Sequence, residues 1–262
     1  MRQPRRKRLS TDADRDVFWP AGYERVTLDE TDSTMAEARR RAEAGLERPT
    51  WIMARRQTAG RGRRGRSWVA GHGNLAATLV FRPYCTPAEG ARRSFLAANA
   101  LFEALAIYVE RSCLSLKWPN DVLLNDGKVA GILLESSGSG PFLDWLSIGI
   151  GVNLKAVPEG INDAAFGPVS LLGEGGEEVS ADTFLSVLAS SYATQEAKLE
   201  KFGFARIRED WLRHAARLGD VITARTSKDD IRGVFDTVDE DGNLVLITGT
   251  GPKTIPAADI YF

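Results

Sequence analysis

The amino-acid sequence predicts an α+β protein in which a mixed central β-sheet is flanked by helices and followed by a small C-terminal β unit. Short apolar runs alternate with longer helical patterns up to residue 216, as expected when helices cover a sheet. From Gly219 onward, short apolar runs are separated by turn residues, which is typical of antiparallel strands. The 262 residues suffice for one large and one small domain. We predict a basic, disordered tail over 1–20, a main domain over 21–216 and a C-terminal unit over 217–262.

The first part of the main domain is predicted to contain, in order, a strand, a helix, a second strand, a loop and a third strand. The capping-box spacing of Thr34 and Glu37 indicates a helix that ends near Gly45. Short apolar runs indicate strands over 23–28, 51–54 and 74–81.

The second part begins with a helix start, because Thr86, Pro87 and Glu89 supply a cap, a first-turn proline and an acid at the third helical position. Apolar residues at helical spacing extend this helix to Val109. The Asp126–Gly127 pair indicates a tight turn. Further strands are predicted over 114–118, 122–124, 129–134 and 145–154, a mobile excursion over 162–178, helices over 184–199 and 204–212, and C-terminal strands over 221–224, 234–238 and 244–247 and at Ile255.

Composition excludes several classes of protein. The formal net charge is -1, which argues against a protein whose main task is to coat nucleic acid. The two cysteines and two histidines are widely separated, so neither a disulfide framework nor a metal cage is expected. No apolar stretch reaches the length of a membrane span. The arginine-rich first ten residues lack the apolar core of a secretory signal, and we therefore expect a soluble cytoplasmic protein.

Residues 60–68, Gly-Arg-Gly-Arg-Arg-Gly-Arg-Ser-Trp, form what we call the arginine loop. Guanidinium groups suit phosphate or carboxylate, and glycines allow backbone conformations closed to other residues. Six arginines and no acid lie between Arg55 and Arg66, so self-repulsion is expected to keep the segment open until an anion arrives. A nucleic-acid contact, a loop that closes over a phosphate ligand and a solvated loop all fit the composition.

Lys128 and Asn120 flank the predicted hairpin, whose turn should bring them together. A lysine at the start of an apolar strand is costly to bury unpaired, so it should reach solvent or an anionic partner. Cations at two sides of a site could bring a carboxylate to the α-phosphate of ATP. Such an approach costs about 4 kcal/mol at 4 Å for an effective dielectric near 20.

Five segments resemble, in order and spacing, the motifs of biotin protein ligases. They are Asp-Ser-Thr at 32–34, Gln-Thr-Ala and the arginine loop at 57–68, Lys-Trp-Pro-Asn-Asp at 117–121, Lys-Val-Ala-Gly-Ile-Leu-Leu-Glu at 128–135 and Gly-Ile-Gly-Val-Asn-Leu at 149–154. The resemblance covers about 21–262. It implies a class II synthetase-like biotin/lipoate ligase domain with a C-terminal SH3-like barrel. It also implies formation of biotinyl-5′-AMP from biotin and ATP with Mg²⁺, followed by transfer of biotin to a carrier lysine.

The resemblance also implies roles for individual residues. Arg63 and Lys128 would be catalytic, with Lys128 between the biotin carboxylate and the α-phosphate. Biotin would be bound by Ser33, Thr34, Gln57, Gly60, Arg61, Gly62, Arg63, Lys128 and Gly131. ATP would be bound by Arg63, Arg66, Trp68, Asn120, Lys128 and Asn153. Mg²⁺ would accompany ATP without a direct protein cage.

Simpler interpretations stand beside these roles. Ser33 and Thr34 could only cap the first helix, and Trp68 could belong to the core. Asn120 could be a turn residue and Asn153 a strand end, while Asp121 could orient a lysine or face water. Met35 departs from the family, where a polar residue is common.

The implied partner is a biotin carboxyl carrier protein domain of acetyl-CoA carboxylase or a related carboxylase, and a homodimer through the central sheet edge is left open. The tail is too short for a helix-turn-helix, which suggests the monofunctional class without specific DNA binding. One rival is a lipoate or octanoate ligase or transferase of the same fold; the transferases need a cysteine nucleophile, and Cys85 and Cys113 lie outside the motifs. The other is an RNA-binding protein, for which stacking aromatics are few.

Overall fold

A computed structural model describes residues 19–68, 71–157 and 167–262. The predicted tail over 1–20 lies outside the described residues except for its last two. Within the described ranges, the strands are β1 (Glu24–Thr31), β2 (Thr50–Gln57), β3 (Leu75–Phe81), β4 (Leu114–Lys117), β5 (Asp121–Leu124), β6 (Gly127–Ser137), β7 (Trp145–Val152), β8 (Val221–Arg225), β9 (Asp230–Val238), β10 (Leu244–Thr248), β11 (Gly251–Ile255) and β12 (Asp259–Tyr261). The α-helices are α1 (Thr34–Glu43), α2 (Pro87–Leu105) and α3 (Ala181–Leu212).

The first seven strands form one mixed sheet in the order β1-β2-β3-β7-β6-β5-β4. Strands β1 and β2 are parallel, because α1 connects them, whereas every other neighbouring pair is antiparallel. The predicted mixed sheet is therefore confirmed. Strand β7 is buried along its whole length, which explains its nearly continuous apolar sequence.

Helices cover both faces of this sheet. Alternation along β2 sends Trp51 and Met53 into a large core, while Ile52 joins a smaller cluster with Ala38 and Ala42 of α1. The large core holds α2 and α3, which pack on each other. The sheet is thus a rigid middle layer, and loops at its ends are well anchored.

The helix boundaries follow local signals with two differences. The capping box of Thr86 and Glu89 starts α2 as predicted, but the helix ends at Leu105 instead of Val109. The cap of α1 is Ser33, whose hydroxyl accepts a hydrogen bond from the Met35 amide, and not Thr34. Thr34 is instead drawn inward by tertiary hydrogen bonds.

The two predicted C-terminal helices appear as α3, which is interrupted at Gly203. The φ angle there is +72°, a left-handed conformation that favours glycine. The excursion predicted over 162–178 lies partly outside the described residues. From residue 167 the chain runs beside β6, where the Lys128 amide donates to the Gly167 carbonyl and the Val169 amide donates to the Lys128 carbonyl, both at 3.0 Å.

The remaining strands form an antiparallel sheet in the order β11-β10-β9-β8-β12. This C-terminal unit is docked on the main body, as its small size leads one to expect. The Trp118 indole donates to the Gly242 carbonyl at 3.0 Å, and Phe95 packs against Gly242. Strand β12 was not predicted, because three residues are too few for a sequence pattern. No helix in the described part of the chain is long and apolar enough to cross a membrane.

Candidate active site

A cavity opens between the arginine loop, the sheet and strand β12. Strands β6 and β7 form its floor, and α1, β2 and the segment before β5 form its sides. It is lined by Ser33, Thr34, Met35, Gln57, Arg61, Gly62, Arg63, Arg66, Ser67, Trp68, Ala77, Lys117, Trp118, Pro119, Asn120, Asp121, Lys128, Gly131, Ile132, Leu133, Gly149, Ile150, Gly151, Asn153, Pro168, Asp259, Ile260 and Tyr261.

One end of the cavity carries a buried chain of hydrogen bonds. The Thr78 hydroxyl donates to Thr34 Oγ1 at 2.8 Å, and that hydroxyl donates to Gln57 Oε1 at 3.1 Å. The Thr34 amide also donates to Gln57 Oε1, at 2.7 Å. Because the Gln57 oxygen is engaged, its amide NH₂ is the group left to donate to a ligand. The Ser33 hydroxyl accepts from Met35 and keeps its own hydrogen for donation.

Apolar side chains line the middle of the cavity. Met35 is 3% exposed and lies against Gly149 so closely that a Cβ there would be 2.6 Å from its sulfur atom. Ala77, Ile132 and Ile150 contribute further apolar surface. Met35 therefore takes up the room that a side chain at 149 would need.

The other end carries positive charge. Lys128 Nζ lies 2.7 Å from Asp121 Oδ1, and Lys117 Nζ lies 3.9 Å from the second carboxylate oxygen. Asp121 thus faces a lysine, one of the two alternatives left open by the sequence. Lys128 was expected to reach solvent or an anionic partner, and it does both: it contacts Asp121 and its side chain is 27% exposed.

Arg63 reaches this end from the arginine loop. Its Nη1 donates to Asn120 Oδ1 at 3.0 Å, and Asn120 Nδ2 donates to the Ile132 carbonyl. Burial lowers the pKa of the Arg63 guanidinium, which Asp259 and Asp121 oppose electrostatically. Asn120 therefore connects the loop to the central sheet.

The arginine loop folds as a tight hairpin. Arg61 and Ser67 form an antiparallel bridge, and the Trp68 amide donates to the Gly60 carbonyl at 2.9 Å. The Trp68 ring lies over β6 and β7, where a Cβ on Gly151 would be 2.1 Å from the ring and one on Gly131 would be 3.3 Å from it. Only a residue without a side chain at 151 admits this ring.

Three of the four arginines of the loop are paired with acids that lie far away in sequence. Arg64 and Arg66 contact Asp259 at 2.6 and 2.8 Å, and Arg61 contacts Glu135 at 3.4 Å. The expectation that repulsion keeps the segment open considered only the charges between Arg55 and Arg66. The fold brings acids from distant parts of the chain next to these arginines.

The cavity brings together the residues predicted from the sequence with one exception. Gly60 is not among the lining residues but closes the base of the hairpin. Asn153 lies at the cavity with 1% exposure, and its side-chain Nδ2 donates to the Val169 carbonyl. Their roles toward a ligand stay predictions, as do those of the other site residues.

Sequence reasoning did not assign several of the lining residues to the site, among them Gly151, Asp259, Ile260 and Tyr261. The Gly-Ile-Gly run of β7 could have indicated that something packs closely on that strand face. No local signal connects residues 259–261 with a loop two hundred residues earlier.

Comparisons with known proteins show the family of the chain. The model of the biotin/lipoate A/B protein ligase family matches residues 27–153, and that of the biotin protein ligase C-terminal domain matches residues 218–262. The chain is 49% identical over 238 residues to a biotin–[acetyl-CoA-carboxylase] ligase of Paracoccus denitrificans, covering 90% of this chain and 99% of that protein. A second such ligase, from Mycobacterium tuberculosis, is 30% identical, with 88% and 86% covered.

Solved structures show the same fold. A biotin protein ligase from Aquifex aeolicus in complex with biotin and ATP has a TM-score of 0.75 and 26% identity, covering 90% of this chain and 97% of that one. The fold, the two matched regions and the relatives thus agree, and the chain belongs to the biotin protein ligase family.

Proposed function

We propose that this protein activates biotin with ATP to biotinyl-5′-AMP, and then transfers biotin to a lysine of a biotin carboxyl carrier protein domain. The single observation that carries the proposal is the order of groups along the cavity. Hydrogen-bond donors at Ser33 and Gln57 are followed by an apolar middle and a cationic end at Lys128 and Arg63. Biotin has the same order: a polar ureido ring, an aliphatic chain and a carboxylate.

In the first step, a carboxylate oxygen of biotin attacks the α-phosphorus of ATP. The bond from that phosphorus to the bridging oxygen breaks, and pyrophosphate leaves. Lys128 and Arg63 both line the cavity. We propose that the two anions meet beside them, so that their charges offset the repulsion between the anions and stabilise the transition state. Asp121 holds the Lys128 ammonium in place at 2.7 Å. No protein nucleophile is needed.

In the second step, the neutral amine of the carrier lysine attacks the carbonyl carbon of the mixed anhydride. The carbon–oxygen bond to AMP breaks, an amide forms, and one proton is released. The arginine loop would keep water from the anhydride until the lysine arrives.

Mg²⁺ would arrive with the triphosphate. It would be bound chiefly by phosphate oxygens, as is usual for Mg²⁺ with a nucleotide. The described residues contain no group of three His, Cys, Asp or Glu side chains that could hold a metal. Asp121 is the cavity carboxylate nearest the cationic end and would supply a protein ligand or a water contact. When bound, the ion neutralises phosphate charge.

Biotin-dependent exchange of pyrophosphate into ATP tests the proposal. Exchange driven by lipoate or octanoate instead of biotin would favour a lipoate or octanoate ligase of the same fold. The acyl transferases of that fold are disfavoured, because neither Cys85 nor Cys113 lines the cavity. Transfer is tested by biotinylation of a purified carrier domain. We propose a cytoplasmic location, where ATP is available. Sedimentation of the purified chain would decide whether two copies pair.

A further inference from the structure

We propose that Asp259, in the last strand of the C-terminal unit, holds the arginine loop closed over the cavity through Arg64 and Arg66. Asp259 would be a positioning residue, because it acts on the loop that carries Arg63 and not on the reacting atoms. The consequence for catalysis rests on the proposed function. The loop contact itself can be tested without any substrate.

The contact is a convergent ion pair. Arg64 Nη1 lies 2.6 Å and Arg66 Nη2 lies 2.8 Å from the same oxygen, Oδ2 of Asp259. The Asp259 side chain is 22% exposed, less than that of either arginine. A carboxylate that is partly withdrawn from water is screened less by solvent than an exposed one. Two cations on one oxygen tie both sides of the hairpin tip to one point.

Asp259 is available to the loop because its strand neighbour is engaged elsewhere. In the β12–β8 register, Asp259 lies opposite Arg225. Arg225, however, donates three hydrogen bonds to Asp230, at 3.0 to 3.3 Å, and lies over the Tyr261 ring at 4.5 Å. The β8–β9 hairpin thus satisfies its own arginine and leaves the Asp259 carboxylate to face the loop.

The hairpin tip needs such support. Arg64 has φ +54° and ψ +33°, and Gly65 has φ +74°, so two consecutive residues are left-handed. Residues other than glycine rarely adopt this conformation and keep it only where their surroundings fix it. The Arg64 side chain is fixed by Asp259.

The contact also connects two units of the chain. Asp259, Ile260 and Tyr261 all line the cavity, so β12 forms part of its wall beside the loop. Any shift of the C-terminal unit would therefore move the anchor of the loop. This gives the C-terminal unit a specific task in retaining the adenylate.

Limited proteolysis of the full chain by trypsin tests the contact, with cleavage after Arg61, Arg64 and Arg66 quantified by mass spectrometry. Loss of two partly exposed ion pairs in Asp259→Asn should speed this cleavage about fivefold. Asp236→Asn removes an exposed carboxylate of the same unit on β9 and should leave loop cleavage unchanged. Asp259→Glu should restore most of the protection.

A double-variant cycle separates the contact from general loosening. In an Arg64→Gln/Arg66→Gln background, cleavage after Arg61 should be fast, and adding Asp259→Asn should not speed it further. If Asp259→Asn speeds cleavage as much in this double-variant background as it does alone, the proposal is overturned. Unchanged cleavage in Asp259→Asn alone would also overturn it. Thermal unfolding of each variant identifies any that fails to fold, and Asp259→Glu then gives the decisive comparison.

The catalytic consequence has its own measurement. Asp259→Asn should release biotinyl-5′-AMP into solution several-fold faster than the unchanged protein does, while biotin still drives pyrophosphate exchange. If trypsin reports the loop contact but no biotin-dependent exchange occurs, the proposed function fails and the contact stands. If exchange occurs but cleavage and release are unchanged, the contact fails and the function stands.

Discussion

Lys128 Nζ lies 2.7 Å from Asp121 Oδ1 at the end of the cavity that also receives Arg63. The two residues belong to neighbouring antiparallel strands, β6 and β5, so their separation is set by the sheet and not by a mobile loop. A lysine held in this way presents its charge at a fixed point. Such preorganisation is the main source of electrostatic catalysis, because little rearrangement is needed during the reaction.

Lys128→Ala should lower the single-turnover rate of biotin adenylation by a factor of about 10² to 10³, the usual cost of losing one preorganised charge stabiliser. The fold should persist, because the Lys128 side chain is partly exposed and lies outside the large core. Rapid-quench measurement of adenylate formation checks this. Lys201→Ala removes an exposed lysine over Phe202 and serves as the control. A near-normal rate in Lys128→Ala would contradict its catalytic role.

Asp121→Asn should slow adenylation about tenfold, because Lys128 keeps its charge but loses the anion that positions it. The Km for biotin should change less than kcat, since Asp121 lies away from the end lined by Ser33 and Gln57. Steady-state kinetics with varied biotin and ATP measure both constants. Asp126→Asn, at an exposed aspartate 3.8 Å from Arg217, is the matched control. Equal kinetics for the two variants would show that the pair has no role.

Gly151→Ala should displace the Trp68 ring, because the new Cβ would lie 2.1 Å from it. We expect weaker ATP binding, with the Km for ATP raised about tenfold or more if the ring contacts the nucleotide at a strength of about 1–3 kcal/mol. Gly140→Ala adds a methyl group in open space and should change nothing. Tryptophan fluorescence detects a displacement of the ring, and steady-state kinetics measure the Km for ATP. An unchanged Km for ATP together with a changed spectrum would assign Trp68 to packing alone.

Thr34→Val should weaken biotin binding by loosening Gln57, whose Oε1 then keeps only the hydrogen bond from the backbone amide of residue 34, at 2.7 Å. The variant removes the hydroxyl that donates to Gln57 Oε1 at 3.1 Å and leaves the Thr78 hydroxyl without its acceptor. We expect a loss of stability of about 1–3 kcal/mol and a several-fold rise in the dissociation constant for biotin. Calorimetry and chemical denaturation measure these quantities. Thr27→Val, on the exposed part of β1, is the control; identical biotin binding in both would argue that Gln57 is not oriented by Thr34.

Much of the fold followed from local signals. The capping box at Thr86, the apolar spacing of α2 and the alternation in short strands are properties of neighbouring residues, and the helices and strands appear near their predicted positions. The one misplaced cap, at Ser33, has a tertiary cause. The Thr34 hydroxyl is drawn to Gln57 on β2 and Thr78 on β3.

The sequence by itself predicted which residues carry the chemistry, because motif order, charge and residue type are local. It pointed to Lys128, Arg63 and the arginine loop without any coordinates. Only the tertiary structure decided which groups face one another. The pairing of Lys128 with Asp121 depends on strand register. The position of the Trp68 ring depends on the absence of a side chain at Gly151. The contact of the loop with Asp259 depends on how the C-terminal unit docks. These contacts join residues up to 195 positions apart, and no local pattern encodes such a distance.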